Sequence, residues 1–143
     1  MLDKHSIGYL SNHTARLFAL LLAQRLKPLG IAPAQFPILV QLWQQDGLSQ
    51  NELVERADLA QATIANTLGR MERDGLIERV ANPDDARSRL IVLTDKAWGL
   101  QNQATDIAMT INREVLAVLS SDEQAQLLDM MNRIVDNQKS LLH

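Results

Sequence analysis

The sequence predicts a mainly α fold: a winged helix-turn-helix lobe with a two-stranded wing, set between long N- and C-terminal dimerisation helices. Three observations predict it. Apolar residues recur at helical spacing over most of the chain. A capping box, Ser49-Gln50-Asn51-Glu52, opens a short helix that a second one follows after a tight turn. Between Leu76 and Leu93 the period changes to two short aliphatic or β-branched runs with a turn-forming cluster between them.

In chain order, Ile7, Leu10, Leu17, Leu21 and Leu22 place a first helix over Ile7 to Leu26, and Gly30 ends that segment. Pro33 suits the first position of a second helix, where its missing N–H costs nothing, with Phe36, Leu39, Val40 and Trp43 as the buried stripe. Pro37 then falls inside that helix and is expected to remove one hydrogen bond and bend it. Asp46-Gly47 reads as a turn, after which Leu53, Val54 and Ala57 face inward from the third helix. Beyond Asp58 a fourth helix runs to about Asp74, with Ile64, Leu68 and Met71 buried and Gly75 as a left-handed cap. Leu76–Val80 and Leu90–Leu93 form a hairpin around Asn82-Pro83-Asp84-Asp85. Thr94 caps a long helix with Leu100, Ala104, Ile107, Ile111, Val115 and Val118 on one stripe. A second capping box, Ser120 to Glu123, opens a last helix that buries Leu127, Met131 and Ile134.

These elements divide the chain into a dimerisation helix over 1–30, a lobe over 31–94 and C-terminal dimerisation helices over 95–143. The first and the last two helices carry apolar stripes wider than so small a module can cover, so a second copy of the chain is expected to cover them. A homodimer would hold its two fourth helices about 34 Å apart, one turn of duplex DNA.

Composition narrows the function. With 46% apolar and 22% charged residues in 143, the chain can build a core and is not a disordered tail. Cysteine is absent, which excludes disulfides, thiolate zinc sites and thiol redox switches. His5, His13 and His143 lack ligand spacing, so neither a metal nor another cofactor is implied. No run is long and apolar enough to span a bilayer, and the N-terminus lacks the pattern of a secretory leader, so no membrane partner and a cytoplasmic location are expected. Aromatics at 3% are too few for the stacking platforms that bind single strands. Neither a glycine-rich phosphate loop nor a nucleophile–base pattern is present, which argues against an enzyme.

The net charge of −3 runs against the basic character usual in nucleic-acid binders. Its distribution does not: Arg70, Arg73, Arg79, Arg87 and Arg89 fall within twenty residues, whereas seven acidic and four basic residues follow Thr94. With Ile64, Leu68 and Met71 inward, the fourth helix turns Gln61, Ala62, Thr63, Asn66, Thr67, Arg70 and Arg73 outward. Gln and Asn pair with adenine edges, Thr and Ala meet the thymine methyl, and Arg suits guanine or phosphate. Solvated helix faces more commonly carry Lys and Glu. At the hairpin tip, Arg87 suits the narrow, strongly negative minor groove and Arg89 a phosphate, while Asp85 would hold the loop or orient an arginine. The expected partner is double-stranded DNA with a pseudo-palindromic operator.

The order helix-turn-helix, Asp74-Gly75-Leu76-Ile77, Asp85-x-Arg87 and Leu93-Thr94-Asp95-Lys96 resembles the signature of the MarR family. The likeness extends to the long first helix, to Ala34-Gln35-Phe36 and to the two terminal helices. It implies an obligate winged dimer, usually a repressor released by a small phenolic or anionic ligand. Ala97 departs from the pattern, which commonly has glycine there, and the missing cysteine sets the chain apart from oxidant sensors. Relatives often bind effectors between the dimerisation helices and the lobe; His13 and Arg16 are the polar residues of the first helix suited to an anion there. Trp43 and Trp98 read as core. Overall acidity favours a second reading, a winged-helix protein-interaction module without DNA. Such a face would favour exposed aromatics and aliphatics over the small polar residues found here.

Overall fold

A computed structural model describes residues 3–143. Among these residues the order is α1 (Ile7–Leu26), a 3-10 turn over Lys27–Leu29, α2 (Phe36–Gln44), β1 (Leu48–Ser49), α3 (Gln50–Ala57), α4 (Gln61–Arg73), β2 (Ile77–Ala81), β3 (Arg89–Leu93), α5 (Asp95–Leu116) and α6 (Ser121–Leu141). The fold is mainly helical, with a small antiparallel sheet at the wing. Two compact units divide after Ala108, within α5.

In the first unit, one core gathers the inward residues of every element from the end of α1 to the middle of α5. Leu26, Ile38, Leu39, Leu42, Leu48, Leu53, Ile64, Leu68, Met71, Ile91, Ala97 and Ala104 all lie in it. The helix-turn-helix is packed on this core through Leu53 of α3 and Ile64, Leu68 and Met71 of α4. The turn between them places Asp58 in the left-handed region, at φ 53°.

The sheet differs from expectation. It has three strands in the order β1-β3-β2, because Leu48 and Ser49 pair with Ile91 and Leu90. The sequence reading missed β1: two residues are too short to show alternation, and Ser49 was already assigned as a helix cap. It is both strand residue and cap. The β2–β3 hairpin runs in register from Ile77 opposite Leu93 to Ala81 opposite Arg89.

The second helix corrects two further expectations. Pro33 lies in the turn before α2, not at its first position, and α2 starts at Phe36. Pro37 is thus in the first turn, where its N–H would have had no helical acceptor, and it breaks no helical bond. The buried stripe is Ile38, Leu39 and Leu42; Phe36, Val40 and Trp43 are half-buried. Phe36 and Trp43 pack edge to face at 6.1 Å, and the Trp43 indole donates to the Ala97 carbonyl (3.2 Å). Trp98 is 39% exposed and is not core.

Gly75 ends α4 as expected. Its φ of 75° lets the Leu76 N–H return to Met71 O (2.9 Å) and its own N–H to Glu72 O (3.1 Å), the paired bonds of a Schellman motif. A Cβ there would meet no atom within 4 Å, so the only penalty of a side chain is the left-handed backbone. Gly75→Ala is expected to cost about 1–2 kcal/mol, read as a lower thermal midpoint.

The helices outside the lobe leave apolar surface uncovered. On α1, Ile7, Leu10, Leu17 and Leu20 are exposed and only Leu26 is buried. In the second unit, α6 opens with its expected capping box at Ser120 and Glu123, and the Gln124 side chain donates to the Leu116 and Leu119 carbonyls. Met131 and Ile134, expected to be buried, are exposed within the single chain, as are Leu128, Met130 and Val135. Val118 lies beyond the end of α5 and is also exposed.

Candidate nucleic-acid interface

α4 turns Gln61, Ala62, Thr63, Asn66, Arg70 and Arg73 to solvent, as the helical period predicts. Thr67 does not join them. It is 7% exposed, and its hydroxyl donates to the Thr63 carbonyl (2.8 Å), so both its position and its hydrogen are taken. The period itself carried this signal: Thr67 sits three residues after Ile64 and four before Met71, on the buried stripe. Ala65 and Gly69 are exposed instead, leaving the middle of the outer face thin. The α4 carboxylate, Glu72, stands 3.6 Å from Arg79 on β2.

Both ends of α4 are tied to neighbouring elements. At its start the Gln61 amide donates to Asn51 Oδ1 (2.9 Å) and accepts from Gln50 Nε2 (3.5 Å), joining it to the first turn of α3. At its end the Asp74 carboxylate accepts from the buried amide of Gln35 (2.9 Å), whose own oxygen accepts from the Ala32 N–H (3.0 Å). Arg73 lies 3.6 Å from the same carboxylate, and Lys96 of α5 donates to the Asp74 carbonyl (2.8 Å). Thr94 completes the junction: its hydroxyl donates to Gly75 O (2.6 Å) and accepts from the Ala97 N–H (3.3 Å).

The wing tip is built on two carboxamide and carboxylate turns. Asn82 Oδ1 accepts from the Asp84 N–H (2.9 Å) and Asp85 Oδ1 from the Arg87 N–H (3.0 Å). Arg87 Nε also lies 3.5 Å from Asp85 Oδ1. The Arg87 side chain is 93% exposed, and so exposed a pair is weak, so Asp85 can orient the guanidinium without withholding it from a stronger partner. Arg89, also exposed, donates to the Arg79 carbonyl across the hairpin (3.4 Å).

A groove of about 350 Å³ runs between the wing and the start of α3, lined by Ser49, Gln50, Asn51, Arg79, Arg87, Ser88, Arg89 and Ile91. Three arginines and no acidic residue line it. The first backbone N–H groups of α3 lie at the same end. The Ser49 N–H, which donates to Glu52 Oε1 (3.0 Å), and next the Ser49 side chain hold the Glu52 carboxyl below its usual range. The sequence reading counted Arg79 in its basic run and gave Ser49 and the third helix backbone contacts, but assigned no individual contact to Arg79, Gln50 or Asn51.

The anion candidates on α1 are both exposed. The His13 ring stands edge-on to Tyr9 at 5.7 Å, and Arg16 follows one turn on. Among the described residues no group of three or more potential metal ligands occurs, and no helix is long and apolar enough to cross a membrane.

The MarR family model matches residues 31–88. The chain is 29% identical to the transcriptional regulator HosA of Escherichia coli over 102 residues, 71% of this chain and 76% of HosA. It is 26% identical to the HTH-type transcriptional repressor MT2955 of Mycobacterium tuberculosis over 132 residues, 92% of this chain and 95% of that one. Among solved structures, a probable transcriptional regulator from Pseudomonas aeruginosa superposes with a TM-score of 0.86 at 32% identity, covering 94% and 99% of the two chains. An E. coli MarR mutant complexed with operator DNA gives 0.83 at 26% identity, covering 90% and 92%. PcaV from Streptomyces coelicolor in complex with its natural ligand gives 0.82 at 28% identity, covering 95% and 96%.

Proposed function

The chain belongs to the MarR family of transcriptional regulators, and from that premise we propose that it is a cytoplasmic homodimeric repressor that binds a pseudo-palindromic operator. The carrying observation is the arginine-lined groove, free of carboxylates, beside an exposed helix face of small and polar residues. α4 docks in the major groove through Gln61, Ala62, Thr63, Asn66 and Arg70. Arg87 enters the minor groove, and Arg73, Arg89 and the first turn of α3 hold phosphates. The exposed apolar residues of α1 and α6 are the surface a second copy covers, since patches of this kind seldom stay bare on a soluble protein. The likeness to a ligand-bound PcaV supports binding of a small molecule, and that to a mycobacterial repressor supports repression. A phenolic or anionic effector met by His13 and Arg16 fits this scheme, acting by changing the separation of the two lobes.

Fluorescence anisotropy on a labelled duplex from immediately upstream of the gene tests the reading. The expected result is tight binding that resists unrelated competitor DNA. It should weaken by about three orders of magnitude between 50 and 200 mM salt, the slope for roughly six phosphate contacts. Weak binding, equal on both DNAs and flat with salt, would instead favour a winged-helix module that docks on protein.

A further inference from the structure

Gln61 has two amide hydrogens and two oxygen lone pairs. One hydrogen goes to Asn51 Oδ1 at 2.9 Å, and the oxygen takes the Gln50 Nε2 hydrogen at 3.5 Å. One N–H and one lone pair remain, on an amide held in place by its partners. A free glutamine exchanges oxygen and nitrogen by a half turn of its last torsion; here Asn51 and Gln50 must turn with it to keep both bonds. Asn51 and Gln61 are exposed and Gln50 is half-buried where the first turns of α3 and α4 meet, and none of the three belongs to the core.

We infer that Asn51, aided by Gln50, is a specificity-positioning residue: it locks the Gln61 amide so that one N–H and one oxygen meet the N7 and N6 edge of adenine at one base pair of each half-site. The inference rests on the DNA-binding reading above. The physical basis is pre-organisation. Ordering the glutamine before DNA arrives removes rotational freedom in advance and couples the way its amide faces a base edge to Asn51 and Gln50. Arg70, Arg73 and the wing arginines set overall affinity, whereas this cluster sets which base is accepted.

The test is selection of bound sequences from a randomised duplex pool, followed by affinities on single-base variants of the selected site. Wild type, Gln61→Ala, Asn51→Ala and Asn51→Asp are compared. Wild type should prefer adenine at one position per half-site by about tenfold or more. Gln61→Ala should abolish that preference. Asn51→Ala should cut that adenine-over-other-base ratio at least threefold, whatever it does to overall affinity, while the base ratios at other positions stay within twofold. Asn51→Asp keeps an acceptor for Gln61 and should retain the preference, although its added charge lowers affinity for every sequence. Unchanged melting temperatures would confirm that all variants fold. The inference is overturned if Asn51→Ala keeps the wild-type profile, or if it weakens all positions alike. A wild type with no sequence preference at all would overturn the DNA-binding reading itself.

Discussion

Arg87→Ala is expected to weaken operator binding by about tenfold or more, the loss typical of a close arginine contact worth about 1–3 kcal/mol. The side chain is 93% exposed, and the partner it loses in the free protein is the weak 3.5 Å approach to Asp85. The fold therefore should not register the change, and the melting temperature should stay within a degree or so of wild type. Anisotropy titration on the operator, paired with thermal unfolding, separates the two quantities. The loss should be larger on an operator with an A·T-rich flank, where the minor groove is narrow and its potential most negative. An Arg87→Ala protein that binds such an operator as tightly as wild type would remove the wing from the interface.

Leu68→Ala should act in the opposite way. Leu68 is fully buried, four residues after Ile64 and three before Met71, in the core cluster that α4 shares with α3 and the sheet. Truncating a leucine in such a place leaves a cavity its neighbours fill only in part, at a cost of about 2–5 kcal/mol. That is a large share of the roughly 5–15 kcal/mol that holds a domain folded, and the melting temperature should fall by roughly 10 °C or more. Well below that temperature, affinity per folded molecule should change little, because Leu68 offers nothing to the outer face. Circular dichroism melting and active-fraction titration distinguish this from a contact residue.

These two residues also mark what could be read from the sequence and what could not. Ile64, Leu68 and Met71 announce themselves by spacing alone, since a helix of this length must hide one stripe. The capping boxes at Ser49 and Ser120 and the left-handed turn at Gly75 were equally legible, because each is a local solution to unsatisfied backbone groups. Arg87 was legible from its place on a turn. Asp85 accepts from the Arg87 N–H within the turn. Thr67 was misplaced because a polar residue was given an outward face against the helical period, when its hydroxyl could be satisfied one turn back. Pro37 was misjudged by a helix boundary three residues too early. The groove was beyond sequence reading for a different reason. Its walls come from the start of α3 and from β2 and β3, and the short strand β1 that draws them together depends on pairing between residues more than forty positions apart.

α4 is pinned at both ends: by the amides of Gln50 and Asn51 at its start, and by Gln35 and Lys96 through Asp74 at its finish. Ties at both ends hold the helix in place on the core of the lobe. It reaches DNA with little ordering left to do, which favours affinity. In the proposed homodimer, a ligand would gain little by distorting a helix so held and more by moving the whole lobe, because a small rotation at the dimer axis would become a larger displacement at the far tip. Control would then lie in the spacing of the two lobes, with the reading surface itself the same.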